Sequence, residues 1–404
     1  MTPADPAVLV EEFDPHDPAI TADDLYPRYG RLRAACPVTR HGPHGGYWLA
    51  TGYGEVRAAA LDAATFSSAN GVYLPAVAEH RLPMLEMDNP EHAVWRRSLA
   101  PWFNGLAARR WQPRIREIVD ELIDGFVERG EADLIHDFAE PLPLTLIGEI
   151  FGLEPEQRAQ VREDALEFLD NSTGDAQAKA LLDAMVGRWV ALVQHRRNEP
   201  ADDLISAVLQ ADFGPFDVSD VDIAWLMFAL TFGGHDSTLL ALGSMLLHLV
   251  EHPEQRAELI ADPERIPAAV EELLRLHTSL HNFRRDARAD TELGGQRIAA
   301  GERVLLAWGA ANRDPAKFPD PDVANFNRPN VRDHLAFGVG RHGCIGQFIA
   351  RTELCTAIEA VLERLGEYRL AGVPRRNGLT GGGHHHGVEY LPVRFVAGPR
   401  RDRE

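Results

Sequence analysis

Hydrophobic positions recur with a helical period over most of this chain. Residues 54–62 and 90–130 read as amphipathic helices, and helical patterns dominate from 141 to 280. The clearest element runs from Ser219 to about Glu251. Ser219 is an expected N-cap, Asp222 stands three residues later as in a capping box, and Pro253 marks the far end. At 1.5 Å per residue this helix would be roughly 48 Å long. It is apolar on nearly every face, as in Ile223-Ala224-Trp225-Leu226-Met227-Phe228, so it belongs inside the core. A last helix is expected from near Gly346 to near Gly366.

Strand signals are short and scattered. Gly46 to Thr51 reads as a strand, and so does Val304 to Ala307, which follows turn signals at Leu293-Gly294-Gly295 and Ala300-Gly301. Val388 to Val396 reads as a strand or hairpin. Residues 312–340 are rich in Pro, Asn, Asp and Gly and predict irregular coil. A coil this long inside a folded chain is usually functional. The expected fold class is therefore mainly α (α+β): a helical bulk with small sheets, as a single domain over residues 1–404.

Composition narrows the function classes. The net charge is −20, which disfavours nucleic acid and a like-charged membrane surface as partners. The only lysines are Lys179 and Lys317, so nearly all basic charge is arginine. The N-terminal stretch has neither a basic nor an apolar segment of the signal-peptide kind, and no run of about 18 apolar residues predicts a membrane span. Three cysteines, Cys36, Cys344 and Cys355, cannot form a disulfide framework. A soluble, cytoplasmic monomer is expected.

The coil ends in Phe337-Gly338-Val339-Gly340-Arg341-His342-Gly343-Cys344-Ile345-Gly346. Its glycines let the backbone turn sharply and approach a flat object closely. Cys344 then sits just before a helix N-terminus, which lowers a thiol's pKa and favours thiolate. On these residues alone a buried structural cysteine and a cysteine nucleophile stay open beside a metal-binding thiolate. Zinc fits poorly, because no CxxC or second Cys–His pair is present.

Phe337-x-x-Gly340-x-His342-x-Cys344-x-Gly346 resembles the heme-binding signature of the cytochrome P450 family, and further matches follow in that family's order from about residue 80 onward. The resemblance implies heme b, with Cys344 as axial ligand of the iron and Phe337, Gly338 and Gly346 in the loop around it. Glu272-Leu273-Leu274-Arg275 resembles the family's Glu-x-x-Arg pair, whose members share a helix face. With Asn312-Arg313-Asp314-Pro315 and Arg328 it implies a structural brace for the coil. Gly233-Gly234-His235-Asp236-Ser237-Thr238 resembles the oxygen-activation motif. Paired glycines each cost about 1 kcal/mol in a helix interior, so close approach of a ligand is expected there. Asp236 and Ser237 are the expected acid and hydroxyl for proton delivery. The family's usual residue at 237 is threonine, and Thr238 lies about 100° further round the helix.

His92 and Arg96, one helical turn apart, with Arg285 and His342 are the expected contacts to the two heme propionates. By position the substrate pocket is expected to include Val72, Tyr73, Leu74, Ala229, Phe232, Leu280, His281, Phe283, His384 and His385. The last two fall in the unusual run Gly381-Gly382-Gly383-His384-His385-His386. The implied activity is a monooxygenase that inserts one atom of O2 into a small or medium organic substrate. No dinucleotide-binding fingerprint is present, so the electrons are expected from a separate ferredoxin or flavodoxin with its reductase. The alternatives are an atypical oxidation, such as coupling, desaturation or ring formation, and a non-catalytic heme carrier or sensor.

Overall fold

The computed structural model describes residues 11–75, 80–170, 176–379 and 383–401. Gly381 and Gly382 of the histidine run lie outside them. In chain order the helices are α1 (Ala22–Ala35), α2 (Tyr53–Leu61), α3 (Glu91–Phe103), α4 (Gly105–Asp124), α5 (Pro141–Ile150), α6 (Pro155–Asp170) and α7 (Ala176–Asn198). They continue with α8 (Leu204–Leu209), α9 (Asp220–Glu251), α10 (Pro253–Ala261), α11 (Ile266–Leu276), α12 (Trp308–Ala311) and α13 (Gln347–Leu365).

The expected long helix is α9, and its start is fixed as the sequence predicts. Ser219 Oγ accepts from the Asp222 N–H at 3.2 Å, and Asp222 returns an acceptor to the Ser219 N–H at 3.0 Å. The helix is apolar all round because it is packed all round, by α5, α7, α13 and strand Val388–Tyr390. One glycine makes that packing possible. A Cβ on Gly243 would lie 2.5 Å from the Ile135 side chain and 3.6 Å from that of Val388.

The expected helix over 90–130 is two helices. Asn104 divides them, its Oδ1 accepting from the Leu106 and Ala107 N–H groups at 2.9 Å each, and so caps α4. The larger sheet runs in the order Val38–His41, Tyr47–Ala50, Arg303–Ala307, Asn282–Ala287, Phe66–Ser67, with Tyr47–Ala50 parallel to Arg303–Ala307. The two strand segments read from GYWLAT and Val304–Ala307 are therefore neighbours.

The tail is not a hairpin. Val388–Tyr390 pairs with Arg375–Arg376, whereas Pro392–Phe395 lies between Glu131–Asp133 and Tyr368–Leu370 in another sheet. Leu391 makes the switch: its N–H donates to Asp133 Oδ1 at 2.9 Å and its carbonyl accepts from the Leu134 N–H at 2.9 Å. Among the described residues no helix is long and apolar enough to cross a membrane.

Glu272 and Arg275 pair as their i,i+3 spacing predicts, and the pair reaches the long coil. Glu272 and Arg275, one turn apart on α11, are both fully buried. Arg275 donates to the Glu272 carboxylate through Nε and Nη2 at 2.8 Å each, and Arg328 Nε donates to it at 3.0 Å. The remaining guanidinium N–H groups reach coil carbonyls, including Arg275 Nη1 to Asn312 at 2.9 Å and to Pro321 at 2.7 Å, and Arg328 Nη1 to Pro319 at 2.6 Å. The coil is therefore pinned by a buried charged cluster beside its buried apolar side chains, such as Phe318 and Leu335.

Candidate active site

A cavity of about 1100 Å³ opens between α9, the coil's end and the start of α13. Pockets for a single small ligand usually hold about 300–1,000 Å³, so this one has room for a cofactor and a substrate together. Cys344, Phe337, Gly338, His342 and Gly346 line it from the cysteine loop, His92 and Arg96 from α3, and Arg285 from strand Asn282–Ala287. Gly233, Gly234, Asp236 and Ser237 line it from α9. The expected cofactor and proton-relay residues thus share one cavity, although they come from four separate parts of the chain.

The cysteine loop reaches this position by tight turning. Gly338 and Gly340 have φ of 63° and 76°, which an L side chain rarely adopts, and a Cβ on Gly340 would press on the Ala60 carbonyl at 3.1 Å. The Cys344 N–H donates to the Phe337 carbonyl at 2.7 Å and closes the loop. The expected depression of the Cys344 pKa is not what results. Burial pushes the thiol up; N–H donors at Gly346 and Gln347 and the charges of Arg96 and Arg351 pull the other way and lose. A metal cation bound at the sulfur would reverse that balance, since a coordinating thiol is deprotonated outright.

His92 and His342 lie with ring centroids 4.4 Å apart. The Nε2 atom of each is buried with no hydrogen-bond partner among the described residues. Burial, followed by the charge of Arg96, pushes His92 down to about 4. Burial, followed by the charge of Arg285, pushes His342 down to about 3. Both imidazoles are neutral at pH 7 and carry one N–H each. Arg285 is buried too, and its pKa is pushed down to about 10. A buried polar group left unsatisfied costs about 1–3 kcal/mol. Two carboxylates would satisfy both imidazoles and both arginines, so this corner fits a dianionic edge, as heme presents, with the thiol for its metal.

On α9 the Ser237 hydroxyl donates to the Gly233 carbonyl at 2.9 Å. This bond holds the side-chain rotamer that threonine's methyl would otherwise restrict. Thr238 also lines the cavity, so the single-residue offset round the helix does not remove it from the site. Asp236 is buried, with His235 Nδ1 2.7 Å from its Oδ1.

Of the expected pocket residues, Tyr73, Ala229, Phe232, Leu280, Phe283, His384 and His385 line the cavity. Val72, Leu74 and His281 do not. Val72 is pinned to the sheet side, where its carbonyl accepts from the Arg284 N–H at 2.7 Å and its N–H donates to Glu86 at 3.1 Å. Leu74 belongs to a separate apolar cluster with Phe13, Tyr29 and Leu305. His281 turns the other way, stacked on Tyr29 with centroids 5.8 Å apart and pressed on Gly309, where a Cβ would come within 2.5 Å of its ring.

Three features had no sequence signal of their own. Glu271 bridges α11 to α13 by accepting from Arg351 Nε at 2.5 Å, and it also pairs with His334 Nε2 at 2.9 Å. The Arg351 guanidinium stands 4.3 Å over the Phe337 ring, so this bridge holds the cysteine loop directly. Glu353 lines the cavity, and burial pushes its carboxyl up to about 8, so it is protonated at pH 7.

Comparison with known proteins agrees with this geometry. Residues 156–366 match the family model described as Cytochrome P450. The chain is 36% identical over 390 residues to a protein named Cytochrome P450 107B1 from Saccharopolyspora erythraea, a match covering 92% of this chain and 95% of that one. It is 37% identical over 365 residues to Mycinamicin IV hydroxylase/epoxidase from Micromonospora griseorubida, covering 86% and 89%. A solved structure of a mutant of P450 EryK in complex with erythromycin B superposes with a TM-score of 0.84 at 29% identity, covering 95% of this chain and 99% of that one. A helical fold shared over nearly its full length with these relatives, and a cysteine loop that lines one cavity with two imidazoles and two arginines, place this chain in the cytochrome P450 family.

Proposed function

We propose that this chain is a heme b monooxygenase that hydroxylates a small or medium organic substrate, with Cys344 as axial ligand of the iron. The observation that carries the reading is the gathering of a thiol, two orphaned imidazoles, two arginines and an acid–hydroxyl pair around one cavity. When bound, heme supplies the activation of O2 and the transfer of one oxygen atom to the substrate. His92, Arg96, Arg285 and His342 hold its carboxylates. Gly233 and Gly234 leave α9 without side chains where O2 must fit. Asp236 and Ser237 move protons inward from the buried side of α9. A heme carrier has no use for such a pair, which favours turnover. The mycinamicin-modifying relative is named for two outcomes, hydroxylation and epoxidation, and both transfer a single oxygen atom. Incubation with NADPH, a surrogate ferredoxin and its reductase under ¹⁸O2 should give a product carrying one labelled atom. A turnover product without label would favour coupling or desaturation instead.

The proton path has its own expected outcome. Asp236→Asn should lower turnover by about 10²-fold, the scale of a lost general acid. Ser237→Ala should divert reducing equivalents into hydrogen peroxide, and Ser237→Thr should not. The ratio of product to NADPH consumed checks both. Unchanged coupling in Ser237→Ala would remove that hydroxyl from the relay.

Electrons come from a separate acidic carrier, a ferredoxin or flavodoxin, in the cytoplasm. The supporting feature is a local reversal of charge on a chain of net charge −20. Arg97, Arg109, Arg110 and Arg341 are exposed, and none makes an ion pair among the described residues. Leu106 and Phe348 are exposed apolar side chains of the same segments, and Phe348 packs 3.7 Å from the Cβ position of Gly105. Arg109→Glu/Arg110→Glu should slow reduction by ferredoxin about tenfold at low salt and flatten its ionic-strength dependence. Stopped-flow reduction at two salt concentrations measures this, and an unchanged salt slope would refute docking there.

A further inference from the structure

We infer that the cavity selects an uncharged, planar aromatic substrate bearing an amide or carbonyl group, held between two aromatic walls and hydrogen-bonded by Tyr73 and His385. The inference rests on the monooxygenase reading above and specifies its substrate.

The first wall belongs to α9. Trp225, Phe228 and Phe232 recur at i, i+3 and i+7 and line the cavity along one helix face, with ring centroids 5.4 and 4.6 Å apart in succession. The second wall comes from distant parts of the chain. Phe283 and His384 flank Tyr73 at 5.6 and 4.6 Å, and His385 follows His384 at 4.4 Å. All four line the same cavity. Aromatic faces and edges reward a flat π-system beyond the area it buries, which a flexible alkyl chain cannot match.

The polar groups on the second wall are few and neutral. Neither the Tyr73 hydroxyl nor the His385 ring makes a hydrogen bond among the described residues. Burial pushes the Tyr73 phenol up and the His385 imidazolium down, so neither is charged near pH 7. A phenol donates and a neutral imidazole both donates and accepts, a pair matched by an amide or a carbonyl. Fixed cations at the cavity are spoken for. Arg96 and Arg285 face the propionate corner, and Lys179 already has a partner. His44 and His80, also in the lining, sit against Asp14 at 2.8 Å and Asp222 at 3.4 Å. A carboxylate ligand would therefore enter with no unpaired counter-charge to meet.

The test uses ligands of matched shape on the ferric holoenzyme: benzanilide, trans-stilbene and dodecanoate. Binding is read by the spin-state change of the heme band and, separately, by equilibrium dialysis. Benzanilide should bind about tenfold more tightly than trans-stilbene, and dodecanoate more weakly than either. In Tyr73→Phe/His385→Phe the benzanilide advantage should disappear, with the reduced CO spectrum showing that the variant still folds around heme. Equal affinity for the two aromatic ligands, preference for dodecanoate, or an advantage that survives in the variant would each overturn the inference. A wild-type holoprotein without the thiolate CO band would instead overturn the monooxygenase reading, and dialysis would still score the ligand preference.

Discussion

Replacing Cys344 by alanine should abolish the reduced CO band at about 450 nm and all oxygenation, while leaving the fold intact. The sulfur accepts from the Gly346 and Gln347 N–H groups, but the bond that closes the loop does not use it. That bond runs from the Cys344 N–H to the Phe337 carbonyl at 2.7 Å, and alanine keeps that N–H. The positive φ angles belong to Gly338 and Gly340, which are untouched. Circular dichroism should therefore match the parent, and heme should still enter the cavity, held at its carboxylates but without its axial bond. The other cysteines are internal controls. Cys36 donates to the Val38 carbonyl at 3.1 Å, and Cys355, pushed up to about 12 chiefly by burial, packs against the main core away from the cavity lining. Cys36→Ala and Cys355→Ala should retain the band. Because burial holds the Cys344 thiol above its ordinary value, heme loading must release its proton. Proton uptake or release in weakly buffered solution should thus differ by one between the parent and Cys344→Ala. A band that survives in Cys344→Ala would sink the ligand assignment.

The parts of this site that sequence reveals are those whose geometry is local. The capping box at Ser219 and Asp222, the i,i+3 pairing of Glu272 with Arg275 and the glycine-driven turn before Cys344 each depend on residues within a few positions. Side-chain direction in the loops is not local. Val72 and Tyr73 are adjacent, yet one is drawn to Arg284 and Glu86 and the other into the cavity. His281 and His385 looked alike as pocket histidines; Gly309 and Tyr29, far along the chain, took the first away. The Cys344 thiol shows the same limit in energetic form. A helix N-terminus is visible in sequence, but the burial that outweighs it is a property of the whole fold. The Glu271–Arg351–Phe337 chain is the most consequential omission, because Glu271 sits beside a recognised glutamate and its partner is 80 residues away.

Glu272→Gln should be the most destabilising single change near the site, costing about 3–5 kcal/mol, the scale for breaking a buried ion pair from one side. The carboxylate accepts from Arg275, from Arg328 and from the Asn325 N–H at 2.9 Å. Glutamine keeps the shape, removes the charge and turns one acceptor into a donor, so two buried guanidinium groups face each other uncompensated. Exchanging all three charged residues for apolar ones can be neutral where an ion pair serves only itself. That route is closed here. Arg275 and Arg328 also donate to the carbonyls of Asn312, Pro319, Pro321 and Val323, and these would be left buried without donors. The coil that delivers Cys344 should then loosen, so heme content should fall together with the denaturation midpoint. Arg275→Lys should do nearly the same, because an ammonium cannot span two carboxylate oxygens and two carbonyls at once. Urea unfolding followed by heme absorbance and by circular dichroism separates the two effects. Loss of heme signal at lower denaturant than loss of helix would show the coil failing first. Parental heme content and midpoint in Glu272→Gln would mean that the brace contributes nothing to holding the cysteine loop.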